Sequence, residues 1–192
     1  MKRIFPISLI CLAVIFMLTT LSHAGTNAKV SLHGKPLTLT GTPLQEGKTF
    51  PAVAIPNSGL QMIDLQSFKG KVTIISIVPS IDTKVCEKQT HILSEENGGL
   101  DKTVRLVTVS RVLPFAQKRF AEEAKIHNVL FLSDYRDGEF GASTGLMIQE
   151  NRLLARALVV VDKEGVIRYL EIVPDLGQLP NMKKAFQLAG SL

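Results

Sequence analysis

Val72-Thr-Ile-Ile-Ser-Ile-Val-Pro-Ser-Ile-Asp-Thr-Lys-Val-Cys86 is the stretch on which the reading of this 192-residue chain turns. Val72 to Val78 is dense in β-branched residues with little in-and-out alternation, the composition of a strand covered on both faces. It predicts a central strand. Pro79 has no N–H to give to a ladder and closes that strand, and Ser80, Asp82 and Thr83 are all residues favoured at helix N-caps. A helix should therefore start at Asp82 or Thr83. With Thr83 as the cap, Cys86 falls in the first turn, where unpaired backbone N–H groups and the positive end of the helix dipole favour an anion. A thiol so placed is favoured as the thiolate, the form a nucleophile needs, and Thr83, one helical turn earlier, can stand its hydroxyl beside the sulfur. Taken alone, a single cysteine is more often an inert buried side chain. Lys84 adds positive charge nearby, but an exposed lysine is screened by water.

Outward from that strand, the pattern is of the α/β kind. Val30 to Thr40 reads as two short strands around Gly34-Lys35, and Thr42 to Lys48 as a loop punctuated by Pro43 and Gly47. Phe50 to Ile55 reads as a short edge strand interrupted by Pro51, and Ile63 to Gly70 as a short helical turn. After Cys86 the helix should run on through Glu96 to a stop at Asn97-Gly98-Gly99. Val104 to Ser110 is a second buried strand, Phe115 to Ile126 an amphipathic helix, Val129 to Leu132 a third strand, and Phe140 to Met147 a short helix or turn. Ala157 to Val161 and Val166 to Val173 flank an Asp162-Lys-Glu-Gly165 hairpin turn, and Pro180 to Leu188 closes the chain as a helix. Strands alternating with helices, plus one hairpin, make a layered α/β domain. Nothing in the chain repeats.

The first 24 residues read as a cleaved signal peptide: Met1-Lys2-Arg3 is positive, Ile4 to Leu21 is mainly apolar, and Ser22-His23-Ala24 ends in a small-x-small cleavage pattern. The competing reading is an uncleaved anchor, since the run approaches the roughly 18 residues that span a bilayer. Pro6, Ser8 and the Ala24 site favour cleavage, and lipid attachment at Cys11 is disfavoured because Ile10 precedes it. Residues 25–192 are then a single exported domain, and the bacterial periplasm is the expected compartment. Of the +5 formal charge, Lys2 and Arg3 leave with the leader, so the remainder carries +3, with no basic run to bind nucleic acid. No membrane contact is expected after cleavage. Of the two cysteines, Cys11 leaves as well, so Cys86 has no internal disulfide partner. His33, His91 and His127 lack metal-ligand spacing, and neither a metal nor a cofactor is expected.

Pro79-Ser-Ile-Asp-Thr83-Lys-Val-Cys86 resembles the P-x-x-x-T-x-x-C signature of peroxiredoxins and, in its fuller form, the bacterial thiol peroxidase subfamily. Leu113-Pro-Phe-Ala-Gln-Lys-Arg-Phe120 and Ala155-Arg156-Ala-Leu-Val-Val-Val-Asp162 resemble segments of the same subfamily, in the same order. The resemblance implies a thioredoxin-like fold, with a central mixed sheet flanked by helices and an N-terminal β-hairpin. It also implies thiol-dependent reduction of hydrogen peroxide or small organic hydroperoxides. Cys86 would be the nucleophile, Thr83 would orient the peroxide, and Arg156 would supply a permanent cation to thiolate and substrate; Pro79 would shield the sulfur. Phe115 and Arg119 are candidates for the pocket mouth, and a homodimer is the family's common state.

One departure stands out. Where two-cysteine members carry a resolving cysteine directly after the segment like Leu113 to Phe120, this chain has Ala121. The expected cycle therefore uses one cysteine and an external thiol, either a thioredoxin-like protein or a small thiol. The alternative is a redox sensor or interaction module that couples to a partner through a mixed disulfide at Cys86. A disulfide oxidoreductase is disfavoured because the chain has no C-x-x-C.

Overall fold

The computed structural model describes residues 28–192. The leader, residues 1–24, and Cys11 lie outside the described residues. A hairpin comes first, β1 (Val30–Leu32) and β2 (Lys35–Leu37), antiparallel with Leu32 opposite Lys35. Its two-residue turn is His33-Gly34, one position earlier than Gly34-Lys35. Both turn residues have positive φ (51° and 76°), as a two-residue hairpin of this hand requires.

Then come β3 (Leu39–Thr40), β4 (Ala54–Pro56) and β5 (Met62–Asp64), with β4 and β5 paired antiparallel. The edge strand expected from Phe50 is thus confined to its last residues. The helical turn expected from Ile63 is split between β5 and a 3-10 turn at Leu65–Phe68, whose first free N–H, that of Gln66, is bound by Asp64 Oδ1 at 2.9 Å.

The main elements follow: β6 (Thr73–Ile77), α1 (Lys84–Glu95), β7 (Arg105–Ser110), α2 (Pro114–Glu123), β8 (Leu130–Ser133), α3 (Glu139–Thr144), β9 (Met147–Ile148), β10 (Ala157–Val161), β11 (Ile167–Ile172) and α4 (Met182–Ser191). Five of the strands form one sheet in the order β11-β10-β6-β7-β8. β6, β7 and β8 run parallel, and β10 and β11 are antiparallel additions on the other side of β6. This is the mixed central sheet expected.

Every residue of β6 is buried, and the pleat sends alternate side chains to opposite faces. Ile75 and Ile77 join Val107, Val109, Leu132 and Val159 in one core, which Phe140 of α3 and the apolar residues of the N-terminal segment close. Ile74 joins Leu106, Phe131, Leu158 and Val160 in the other, beneath Leu93 of α1, Phe120 of α2 and Ala185 of α4. That two-sided burial is why the strand lacks alternation in sequence. β3 and β9 pair with each other, Leu39 opposite Ile148, a pairing that the sequence pattern does not predict. Among the described residues, no helix is long and apolar enough to cross a membrane.

Candidate active site at the start of the first helix

The site forms where β6 hands the chain to α1. Val78 N–H donates to Val109 O (3.0 Å), holding the chain to β7 one residue past the strand, and buried Pro79 then ends the ladder. Ser80 Oγ accepts from Asp82 N–H (3.1 Å) and tightens the turn. Thr83 is the N-cap residue, in extended conformation (φ −120°, ψ 144°), and its carbonyl accepts from Glu87 N–H at 2.9 Å. Cys86 is consequently the third residue of the helix, inside the turn whose N–H groups have no helical partner.

The sulfur is enclosed. Cys86 is 1% exposed and clusters with Val78 and Ile81, with Val112 and Phe120 packed alongside. Arg156 reaches it from just ahead of the neighbouring strand β10: Ala157 pairs with Ile77, which sets Arg156 level with the point where the chain leaves β6. Nη2 of Arg156 lies 3.4 Å from Cys86 Sγ, Nη1 donates to Gln89 Oε1 at 2.7 Å, and Nε donates to Leu176 O at 2.9 Å. Arg156 is 2% exposed. Among the described residues, no carboxylate lies within ion-pair distance of it. Gln89 is itself fully buried one turn after Cys86, and its Nε2 donates to Ser76 Oγ at 2.8 Å.

Cys86, Arg156 and Pro79 are thus gathered at one end of the sheet. Thr83 adjoins them in the chain, but it is exposed, and its hydroxyl makes no capping bond. Phe115 and Arg119 are not brought to the sulfur. Phe115 is 65% exposed, and Arg119 points outward to pair with Glu123 at 3.9 Å. The side chains packed against the cysteine cluster are Val112 and Phe120, the latter on the face of α2 turned to the sheet. Gln89 and Ser76 are members of the site that the sequence reading does not single out. Their signals are a glutamine three residues after the cysteine, on its own helical face, and a serine set among the isoleucines of β6.

Asp134 is a buried acid just past the end of β8. Burial pushes its carboxyl above the ordinary range, against the N–H groups of Gly141 and Phe140 and the charge of Arg111. Both its oxygens are engaged in holding the start of α3.

A thiol beneath a buried guanidinium, at a helix start on a mixed α/β sheet, defines the class. The family model described as Redoxin matches residues 45–186, and the chain belongs to that family, within it to the thiol peroxidases. It is 42% identical to the thiol peroxidase of Listeria innocua over 161 residues, spanning 84% of this chain and 97% of that protein. It is equally 42% identical to the thiol peroxidase of Streptococcus pneumoniae over 163 residues, 85% of this chain and 99% of that one. Among solved structures, a peroxiredoxin-like protein from Aquifex aeolicus superimposes with a TM-score of 0.80 at 36% identity, covering 85% of this chain and 96% of that one. The thioredoxin-like fold is therefore shared.

Proposed function

We propose that this protein is a thiol peroxidase reducing hydrogen peroxide or small organic hydroperoxides through a one-cysteine cycle at Cys86. The observation that carries the reading is the Arg156 guanidinium, 2% exposed and 3.4 Å from the sulfur. A buried cation needs an anionic partner, and the sulfur is the ionisable group that faces it. In the first step the Cys86 thiolate attacks one peroxide oxygen. An S–O bond forms as the O–O bond breaks, two electrons pass from sulfur to peroxide, and the second oxygen leaves to take a proton as water or alcohol. Cys86 becomes a sulfenic acid. The guanidinium and the N–H groups of the first turn of α1 stabilise the charge on the leaving oxygen. Thr83 orients the peroxide when its hydroxyl turns inward, and Pro79 shields the sulfur.

The second half of the cycle needs outside thiols, because the position after Phe120 is Ala121. One thiol attacks the sulfenic sulfur and releases water, giving a mixed disulfide. A second thiol then reduces that bond and restores Cys86. Export to the bacterial periplasm after cleavage at Ala24, and a homodimer, belong to the same reading. The first is supported by the pattern of the leader and the second by the habit of the family.

Ala121 also supports a second reading, a sensor that oxidises once and stays coupled to a partner through Cys86. Mass spectrometry after a brief peroxide pulse, with and without added thiols, separates the two. The peroxidase gains one oxygen at Cys86, returns to the thiol with reductant and consumes many equivalents of peroxide. A single stoichiometric oxidation ending in a stable mixed disulfide would favour the sensor, and an inert Cys86 would exclude both.

A further inference from the structure

We propose that Ser76 is a positioning residue for the reaction at Cys86: through Gln89 it fixes the plane in which the Arg156 guanidinium meets the sulfur. The proposal rests on the peroxidase reading given above. Ser76 is fully buried in the middle of β6. A hydroxyl there is costly unless it is hydrogen-bonded, and packing alone is met by isoleucine at positions 74, 75 and 77 of the same strand. Its bond is specific: Ser76 Oγ accepts from Gln89 Nε2 at 2.8 Å.

A carboxamide has a donor end and an acceptor end. With the donor end held by Ser76, Gln89 must turn Oε1 toward Arg156, where it accepts from Nη1 at 2.7 Å. Reversed, the amide would set its own donors against a guanidinium that has only donors to offer. Leu176 O holds Nε at 2.9 Å, so two fixed points define the plane and leave Nη2 for the sulfur at 3.4 Å. Both acceptors are neutral. The positive charge is therefore oriented without being cancelled, and it remains available to an anionic sulfur and to the leaving oxygen. Without the Ser76 hydroxyl, the amide keeps its direction from the guanidinium but loses the tether at its other end, and one of the guanidinium's two anchors is free to shift.

The test is a double-mutant cycle read on the rate at which hydrogen peroxide oxidises Cys86, using the wild type, Ser76→Ala, Arg156→Lys and the double variant. Ser76→Ala is expected to slow oxidation about tenfold, less than the roughly hundredfold that a displacement of about 1 Å can cost. The double variant is expected to be no slower than Arg156→Lys, because Ser76 acts only through the guanidinium. A Ser76→Ala protein as fast as the wild type overturns the proposal, as does an equal slowing in both backgrounds, which would mark a merely structural role. Should Ser76→Ala fail to fold in a thermal scan, Ser76→Gly, which also removes the hydroxyl, takes its place in the cycle: slowing confined to the Arg156 background supports the proposal, and no slowing, or equal slowing in both backgrounds, overturns it. A wild-type Cys86 inert to peroxide would instead sink the peroxidase reading itself, so the two failures are distinguishable.

Discussion

Arg156 sets its guanidinium against the sulfur of Cys86, and it stands 70 positions from the cysteine it faces. Replacing it by glutamine keeps much of the volume and removes the cation. We expect peroxide oxidation of Cys86 to slow by about 10²–10³, the range for losing one charge-stabilising donor, with the thermal midpoint reporting any separate loss of packing. Sequence makes this site legible in unequal parts. Cys86 follows from strand, proline and cap read in order, a local pattern. No spacing rule pairs it with Arg156, whose place is marked only by the resemblance of Ala155 to Asp162 to a known segment. Ser76 and Gln89 are hidden for a different reason: a serine in a strand and a glutamine in a helix are ordinary until burial is known, and burial here is decided by strands and helices meeting from distant parts of the chain.

At the level of elements, the β10–β11 hairpin offers a separate test. Asp162 opens its turn at 4% exposure, accepting from Val166 N–H at 2.8 Å and Glu164 N–H at 3.0 Å and pairing with Arg168. Burial alone would push this carboxyl up. The Val166 N–H, Arg168 and the Glu164 N–H outweigh it and hold the carboxyl below the ordinary range. A carboxylate depressed by folding stabilises the protein above its unfolded pKa, about 3.9, and that stability is lost as pH falls through the lower folded value. Asp162→Asn should accordingly cost about 1–3 kcal/mol at neutral pH and flatten the acid limb of the melting profile, measured by thermal denaturation across pH. The long strands and helices are readable because each carries its own periodicity. The short pairings are not: β3 and β9 share two residue pairs across a separation of more than a hundred positions, and nothing local in Leu39 or Ile148 announces the other.

As a whole molecule, the protein places its described thiol at one end of a sheet covered on both faces, with Ala121 where a second thiol would resolve it. Peroxide in excess, with no reductant present, should take Cys86 past the sulfenic to the sulfinic state, after which added thiol no longer restores activity. Stepwise mass gain against recoverable turnover checks this, and recovery after prolonged peroxide would contradict it. The enclosure of the sulfur, 1% exposed beneath Arg156, carries one more consequence. A solute as slight as hydrogen peroxide needs far less room at such a sulfur than a protein thiol, so a bulky reductant should restore Cys86 more slowly than a small thiol offered at the same concentration. Stopped-flow recovery of the oxidised protein with thiols of graded size checks this, and equal rates across the series would contradict it.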